Sequence, residues 1–312
     1  MKYFLKKLGT LIITLLIISF LAFIAFQLIG NPIASMLGTN ATPEAIEELT
    51  KELGFDRPIL VRYFEWLINF IRGDFGISYS YNLPVTSMVA PKLATTIILT
   101  IMAFTLTVLV SIPLGVLAAR KEGGLLDRIL LIFDQIVMSI PPFFIGILLT
   151  CLFGLVLRVF TPGLFVSLTE NPLGFFGYMV FPALSIAIPR IAMTIKMFRS
   201  SILSEMKKDY IRTAYSRGAN SKRALETHAL KNAIIPVISF LAVSLSEMLA
   251  SCIIVEQIFS VPGIGRLLVS SIGTRDFTVV LAIVMILATW VVVVNFIADI
   301  IYQLIDPRIR LN

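Results

Sequence analysis

Long apolar runs separated by short polar gaps dominate this sequence. A bilayer core about 30 Å thick is crossed by about 20 apolar helical residues at about 1.5 Å per residue. Six runs are long enough, and they cover approximately residues 8–30, 94–119, 129–157, 176–198, 233–255 and 278–304. The pattern therefore predicts an all-α integral membrane protein with six transmembrane helices, the first of them retained rather than cleaved as a signal peptide.

The basic residues lie in alternate gaps and indicate an orientation. Short loops on the cytoplasmic side of a membrane protein are enriched in Lys and Arg. With the N-terminus inside, fifteen Lys and Arg residues fall in the four inner segments, which are 1–7, 120–128, 200–232 and 305–312. The outer loops 158–175 and 256–277 hold only one and two. Both the N-terminus and the C-terminus are therefore expected in the cytoplasm.

The segment between the first two runs, 31–93, forms a small outer elaboration. Thr42, Pro43 and the acidic residues after them have the pattern of a capped helix start, and Gly54 marks the end of that helix. A second helix is expected over about 58–72. Its apolar stripe consists of Leu60, Phe64, Leu67 and Ile71. Neither helix is long enough to span, so we expect them at the membrane surface or on the flank of the bundle.

Composition agrees with a lipid environment. Hydrophobic residues make up 57% of the 312 residues and charged residues only 14%, whereas soluble domains carry about 25% charged residues. The net charge of +7 resides in the polar gaps. No basic face interleaved with aromatics is present, so the charge indicates membrane topology and not nucleic-acid binding.

The residues needed for most enzymatic chemistry are missing from the sequence. There is one histidine and no Gly-Lys pair, which excludes a multi-histidine metal site and a phosphate-cradling P-loop. The acidic residues of the spans, Asp134, Glu247 and Asp299, fall on three different helices. We therefore expect no enzyme activity, and we expect the chain itself to bind no cofactor and no metal.

The inner loop 200–232 has a pattern of its own. Residues 204–217 predict a helix, Gly218 interrupts it, and Asn220 or Ser221 can cap a second short helix. Two short helices folded about Gly218 would make a compact basic knob. The small residues Ala214 and Gly218 would let a partner approach closely. On physical grounds alone, an ordinary basic loop ordered by lipid headgroups is an equal alternative.

One charged residue within the spans is a candidate for a functional role. A charge at the bilayer centre costs a few kcal/mol and usually faces a cavity or a partner. Glu247 lies in the middle of the fifth run, with Ser244 and Ser251 at helical spacing near it. This face is a candidate lining of a substrate pathway, where Glu247 would meet a substrate ammonium group. The alternative is a helix–helix hydrogen bond to a partner.

The inner loop resembles the "EAA" coupling loop of binding-protein-dependent ABC importer permeases. That pattern has Glu-Ala-Ala, three residues, Gly, nine residues and then a hydrophobic residue followed by Pro. Here Arg-Thr-Ala at 212–214 stands in place of Glu-Ala-Ala, Gly218 matches, and Ile235 with Pro236 closes the pattern. The departure at 212–213, with Asp-Tyr-Ile before it and His-Ala-Leu-Lys-Asn at 228–232, is similar to the dipeptide, oligopeptide and nickel branch.

Three further stretches resemble the same branch. Gly-Asp-Phe-Gly-Ile-Ser at 73–78 resembles its outer-loop signature, and 255–266 resembles its signature in the loop after the fifth span. The tail Asp-Pro-Arg-Ile-Arg at 306–310 resembles its C-terminus. Because the outer segment 31–93 is long, the chain resembles the first permease of the heterodimeric pair.

The resemblance implies an assembly and a site. The expected partners are a second homologous permease, two ATPase subunits that bind ATP-Mg, an extracytoplasmic substrate-binding protein and the bilayer of a prokaryotic cytoplasmic membrane. The residues implied in ATPase coupling are Asp209, Arg212, Ala214, Gly218, Leu225, His228, Leu230 and Asn232. The candidate contacts to the binding protein are Gly73, Asp74, Gly76, Pro262, Gly263, Gly265 and Arg266, although these two stretches could equally be turns that connect helices.

The function implied is that of the transmembrane permease of an ATP-driven importer, with di- or oligopeptides as the favoured substrates. A nickel or metal-chelate importer is the alternative. Outside this class, a secondary transporter or a membrane scaffold would also span the membrane several times. The expected organisation is a first helix with its outer segment over 1–93, a permease domain over 94–304 and a cytoplasmic tail over 305–312.

Overall fold

The computed structural model describes residues 2–29, 42–52 and 54–305, and the regular structure in these ranges is helical apart from an isolated bridge between Ile77 and Pro84. We number the helices α1 to α12 in chain order. They are α1 Lys2–Ile29, α2 Pro43–Glu52, α3 Ile59–Ile71, α4 Val85–Arg120, α5 Leu125–Met138, α6 Pro142–Leu149, α7 Pro172–Met206, α8 Asp209–Ser216, α9 Ser221–Arg223, α10 Leu230–Ile258, α11 Ile264–Gly273 and α12 Phe277–Ile305. Two π-helical stretches, Thr150–Val156 and Ala224–Ala229, continue α6 and α9.

Five helices in the described ranges are long and apolar enough to cross a membrane. They are Phe4–Gln27, Val85–Arg120, Pro172–Met206, Ser221–Ile258 and Phe277–Ile301. A bent pair, Leu125–Met138 with Pro142–Val156, supplies a sixth candidate span. With the bent pair counted as one span, the prediction of six spans is confirmed in number and in order along the chain.

The third span is broken, which the sequence analysis did not predict. Its two halves meet at an angle of 103°. The cause is the Pro141-Pro142 pair, because a proline has no backbone N–H and the residue before a proline disfavours helical geometry. The first half ends at Met138, and the second begins with Pro142 in its first turn, where a missing N–H costs nothing.

The residues fall into two compact units, and the larger contains Ile97–Val261. Within this unit α7 packs along α5, α6 and α10. The core includes Met179, Ala183 and Ile186 of α7 with Met248 and Cys252 of α10. Small residues are frequent on these faces because helices in a membrane associate by close packing and not by expelling water.

Gly146 of α6 lies at a close contact in this unit. A Cβ atom at this position would lie 2.9 Å from Ser185 Oγ and 3.2 Å from the Phe259 ring. Ser185 Oγ itself donates to the Pro142 carbonyl oxygen at 3.2 Å. The second half of the bent span is thus held against α7 by a contact that only glycine permits.

The smaller unit comprises Met1–Thr96 with Pro262–Phe296. Here α3 lies against α1, and the Tyr63 and Ser19 hydroxyls are hydrogen-bonded at 2.8 Å. Phe23 and Trp66 pack beside Tyr63. The flank of the bundle was one of the two positions predicted for this helix. Its buried residue is Tyr63, whereas Leu60, Phe64 and Ile71 of the apolar stripe are exposed.

Two local predictions in this unit are confirmed and one element was missed. The Thr42 hydroxyl accepts from the Ala45 amide at 3.3 Å, and Gly54 has a φ of +67° just after the end of α2. The loop 256–277, expected to be a connection, contains the ten-residue helix α11. The tail at 306–310 lies outside the described residues.

We predict that Gly146→Ala destabilises the bundle, although Gly→Ala within a helix normally stabilises by about 0.5–1 kcal/mol. The added methyl overpacks against Ser185 and Phe259, and such overpacking costs about 1–3 kcal/mol. Thermal unfolding of the purified chain in detergent measures the change. Gly177→Ala is the matched control in α7, because a Cβ there meets nothing within 4 Å. Equal melting temperatures for the two variants would contradict the prediction.

Candidate functional site

The inner loop folds into a knob, defined here as residues 207–229. The predicted helix over 204–217 is wrong at its start, because α7 runs on to Met206 and α8 begins only at Asp209. The predicted stop is correct. Gly218 has a φ of +88°, the Ala219 amide donates to the Ala214 carbonyl oxygen at 3.1 Å, and the Gly218 amide donates to Tyr215 at 2.9 Å. These bonds form the helix-terminating motif that favours glycine.

The second half of the knob differs from the prediction of a separate short helix. Asn220 caps it as predicted, since its side chain accepts from the Arg223 amide at 2.9 Å. The helix then passes through the π-helical stretch Ala224–Ala229 directly into α10. Ser221–Ile258 is consequently one helical rod of 38 residues. The second half of the knob is therefore the beginning of the fifth span.

The interior of the knob consists of small and aliphatic side chains. Ile211, Ala224 and Ala229 are fully buried together, with Met206 beside them. Ala214 is only 7% exposed, so its small side chain serves the packing of α8 inside the knob rather than the approach of a partner. Leu225 belongs to a neighbouring cluster with Phe198 and Val237, which joins the knob to α7 and α10.

The remaining residues of the predicted coupling set lie at the surface. Asp209 and Arg212 form an exposed ion pair at 3.3 Å, which contributes little to stability. Gly218 and His228 are exposed, and Leu230 is half-buried. The outer face of the knob is thus polar, while Ala214 and Leu225 hold it together from within.

A hydrogen-bond chain fixes the base of the knob. The exposed Asn232 amide donates to the Tyr210 hydroxyl at 3.2 Å, and that hydroxyl donates to Glu205 at 2.6 Å. Partial burial raises the pKa of the Tyr210 phenol, and its hydrogen bond to Glu205 raises it further. Tyr210 therefore stays protonated and remains a donor at physiological pH.

Two ion pairs join ends of helices that the sequence predicts to be inner. Arg199 of α7 makes a two-pronged contact with the buried Asp127 of α5, at 2.5 and 2.8 Å. Asp127 also accepts from the Gly123 amide at 2.8 Å. Arg120, at the end of α4, pairs with Glu226 of the knob. The pair of Arg120 with Glu226 joins the loops 120–128 and 200–232, both predicted to be inner, and sequence reasoning identified neither ion pair.

The outer-loop stretch at 73–78 is shaped by turns. Gly73 and Gly76 have φ values of +85° and +84°, and the exposed Asp74 accepts from the Gly76 amide at 2.9 Å. A Cβ at Gly76 would lie 3.0 Å from Thr278. Glycine is therefore required here by both the conformation and the space.

Residues 78–80 donate hydrogen bonds to the carboxylate of Asp276, which the sequence analysis did not identify. Asp276 is fully buried and accepts from the Ser78 hydroxyl at 2.5 Å and from the Ser80 amide at 3.2 Å. Its position directly before a span was the available signal. The buried acid acts as the anchor of the loop 73–84.

The second outer stretch leads into α11. Gly263 is the residue before this helix, Gly265 lies in its first turn, and both are buried. The Ile264 amide donates to the Thr96 hydroxyl at 2.9 Å. Pro262 is half-buried and Arg266 is exposed, so Arg266 is the residue of this stretch most accessible to a partner.

The candidate pathway residues on α10 have different environments. The Glu247 side chain is 53% exposed and pairs with Arg190 of α7 at 2.5 Å. Ser251 donates to the Glu247 carbonyl oxygen at 3.1 Å. The Ser244 hydroxyl is buried and has no hydrogen-bond partner among the described residues. Glu247 thus faces outward, while Ser244 points into the bundle. Arg190 was not predicted as its partner.

Six candidate spans along the chain, with a folded basic knob leading into the fifth, are the features of a multi-pass membrane permease. The chain belongs to the family of binding-protein-dependent transport system inner membrane components, which it matches over residues 111–311. Residues 1–100 match the N-terminal region of binding-protein-dependent transport system membrane components. The family found here is the one that the loop and turn signatures indicated.

Relatives of similar length are known. The chain is 33% identical over 309 residues to a probable peptide ABC transporter permease protein of Sinorhizobium fredii, covering 99% of each chain. It is 35% identical over 307 residues to a putative peptide transport system permease protein of Brucella abortus, covering 98% of each. It is 33% identical over 336 residues to the dipeptide transport system permease protein of Escherichia coli K12, covering 99% of each.

A solved structure supports the fold. The chain is similar, with a TM-score of 0.54 and 18% identity, to a structure described as an amino acid ABC transporter with histidines. The similarity covers 70% of this chain and 94% of the other. The permease fold of the bundle is thereby shown.

We predict that Gly218→Leu unravels the end of α8, because a side chain in the left-handed region costs about 1–2 kcal/mol. Amide hydrogen exchange at Gly218 and Ala219 should become about 5–30-fold faster. Gly218→Asn is the control, since Asn tolerates this conformation. Space is not limiting, because a Cβ at Gly218 meets nothing within 4 Å. Equal exchange in both variants would mean that the geometry of this turn is unimportant.

Proposed function

We propose that this permease is one half of the membrane pathway of an ATP-driven importer of short peptides. The observation that carries the proposal is the combination of family membership with full-length relatives whose names specify peptides. A second homologous permease would complete the pathway. Two ATPase subunits would bind ATP-Mg and supply the energy, and this chain would perform no catalysis.

The knob is the proposed docking element for one ATPase subunit. Its exposed residues, Asp209, Arg212, Gly218 and His228, would meet a groove on that subunit. The buried residues Ala214 and Leu225 would preserve its shape. Leu230 and Asn232 would connect it to α10. Compactness supports this role, because a surface that transmits force must move as one body.

Transmission into the bundle would follow the ion pairs. Movement of the knob would act on α4 through Glu226 and Arg120, and on α10 because the helix is continuous. The pair between Arg199 and Asp127 would carry the movement of α7 to α5. ATP-driven closure would then shift the bundle between inward-open and outward-open states, as a population shift between two arrangements.

The predicted outer loops would receive the substrate-binding protein. The turns at Gly73, Asp74 and Gly76, and the stretch Pro262, Gly263, Gly265 and Arg266, are the proposed contact points. Exposed Asp74 and Arg266 offer charges of both signs to such a partner.

The test is uptake of labelled di-, tri- and pentapeptides, and of nickel, by cells that lack this chain. Complementation uses the wild type, Gly218→Leu and Gly218→Asn. We expect peptide uptake to be restored by the wild type and Gly218→Asn, and reduced at least about tenfold in Gly218→Leu, because a strained knob cannot couple. All three proteins should insert in the membrane in equal amounts.

Other outcomes have defined meanings. Restoration of nickel uptake alone would identify the substrate as a metal and the transporter as a metal importer. Uptake that stops when the proton gradient is collapsed at constant ATP would indicate a secondary transporter. Full activity of Gly218→Leu would overturn the coupling role of the knob.

A further inference from the structure

A cavity of about 530 Å³ lies within the smaller unit. Its volume is in the range of about 300–1,000 Å³ that is typical of small-molecule sites. The described residues that line it come from the end of α1, from α3 with the loops on either side of it, and from the start of α12. Aromatic rings supply much of this wall, which suits the hydrocarbon part of a ligand. They are Phe23, Phe26, Phe55, Trp66, Phe75 and Phe277.

The cavity lies where two candidate spans end. Gln27 is the last residue of the span Phe4–Gln27, Phe277 is the first of the span Phe277–Ile301, and both line the cavity. The rings of Phe26 and Phe277 are 5.9 Å apart. Span ends lie at the boundary between hydrocarbon and headgroups, where Trp and Tyr are also frequent. We therefore expect the cavity at the depth of the lipid phosphates.

Helix α3 carries an exposed apolar stripe on the side away from the cavity. Arg62 and Trp66, four residues apart, share the face that lines the cavity. Leu60, Phe64 and Ile71 are exposed on another face. Exposed apolar side chains on a helix of a membrane protein are suited to contact with lipid. A lipid molecule is therefore the ligand most available to a cavity beside this helix.

Arg62 is a half-buried cation in the cavity wall without a countercharge in the described structure. Its Nη1 donates to the Gln27 side-chain oxygen at 3.1 Å, and its guanidinium lies 4.2 Å from the centre of the Phe55 ring. Arg57 also lines the cavity, but it is paired with Glu65 at 3.1 Å. Burial lowers the pKa of the Arg62 guanidinium from its usual value. Because a guanidinium has five donors in a fork that matches phosphate, Arg62 retains donors for an anionic oxygen.

The charges around the cavity indicate what kind of phosphate ligand fits. The charged residues among its described lining are Arg57 and Arg62 against Glu65 and Asp74, so their sum is zero. Asp74 is exposed and accepts from the Gly76 amide at 2.9 Å. An anionic ligand without a cation would meet this carboxylate as well as Arg62. A headgroup that carries both a phosphate and an ammonium group complements both charges.

We propose that this cavity binds a zwitterionic phospholipid with a primary ammonium group, of the phosphatidylethanolamine type. Its phosphate lies at Arg62, its ammonium is directed to Asp74, and an acyl chain packs on the aromatic wall. The bound lipid joins α3 to the ends of α1 and α12, and so fixes the outer elaboration on the spans. This inference does not depend on which substrate the permease transports.

The first experiment titrates the purified full-length chain in detergent with dioctanoyl-phosphatidylethanolamine and measures the rise in the thermal unfolding midpoint. We expect Arg62→Gln to bind the lipid about tenfold more weakly or worse, because charge-assisted hydrogen bonds to the phosphate are lost. Arg62→Lys keeps the charge and should fall between Arg62→Gln and the wild type. Arg72→Gln is the matched control, since Arg72 is an exposed arginine at the end of α3 that does not line the cavity. Inorganic phosphate alone should have no effect on the midpoint.

The second experiment locates the lipid by fluorescence. The chain has two tryptophans, so Trp290→Phe leaves Trp66 in the cavity wall as the only one. In nanodiscs of phosphatidylcholine, a small fraction of phosphatidylethanolamine with brominated acyl chains should quench Trp66 more than the same fraction of brominated phosphatidylcholine. Asp74→Asn should reduce this difference, because a primary ammonium loses its carboxylate partner. The comparison of the two lipids uses wild-type Arg62, so it remains decisive even if Arg62→Gln fails to fold.

Each contrary result identifies the faulty step. Equal quenching by the two brominated lipids would mean that Trp66 meets bulk lipid only, and would overturn the proposal. Equal lipid affinity in Arg62→Gln and the wild type would overturn the phosphate contact. Stabilisation by inorganic phosphate to the same extent would make this a simple anion site. Tighter binding of phosphatidylglycerol than of phosphatidylethanolamine would refute the assignment of a zwitterionic headgroup.

Discussion

Hydrocarbon neither donates nor accepts hydrogen bonds, and this constraint determines most of the structure. Backbone groups within the bilayer must be paired inside a helix, and charged side chains there must find partners. The ion pairs of α7, Arg190 with Glu247 and Arg199 with Asp127, satisfy the second requirement. Because each pair joins α7 to a different helix, the same contacts that neutralise charge also determine which helices are neighbours.

The spans could be predicted from sequence because their signal is long, local and simple. Twenty apolar residues in a row indicate a span whatever they contact. The break at Pro141-Pro142 was also visible, but hydropathy averages over it. The contacts of Asp276, Asp127 and Glu226 could not be predicted in the same way. Their partners lie 198, 72 and 106 residues away along the chain, and only a folded structure brings them together.

The knob shows the same limit at a smaller scale. Composition indicated helices. Gly218 was predicted to end one helix and Asn220 to cap the next, because both roles depend on neighbouring residues only. The direction in which each side chain points was harder to predict from the sequence. Ala214 suggested an exposed docking spot by its size, but the partner that needs its small volume is the knob itself. A small residue indicates a close contact, but not whether that contact is with the protein's own interior or with a partner.

The continuity of the rod Ser221–Ile258 has a consequence for the natural variation of this chain. One residue inserted in an α-helix rotates everything beyond it by about 100° and shifts it by about 1.5 Å. The phase between the knob and the face that carries Glu247 is therefore fixed by counting residues. Insertions and deletions in the α-helical part between Leu230 and Glu247 would misalign the two. The fifth span thus fixes the distance and the rotation between the knob and the face that carries Glu247, in addition to crossing the membrane.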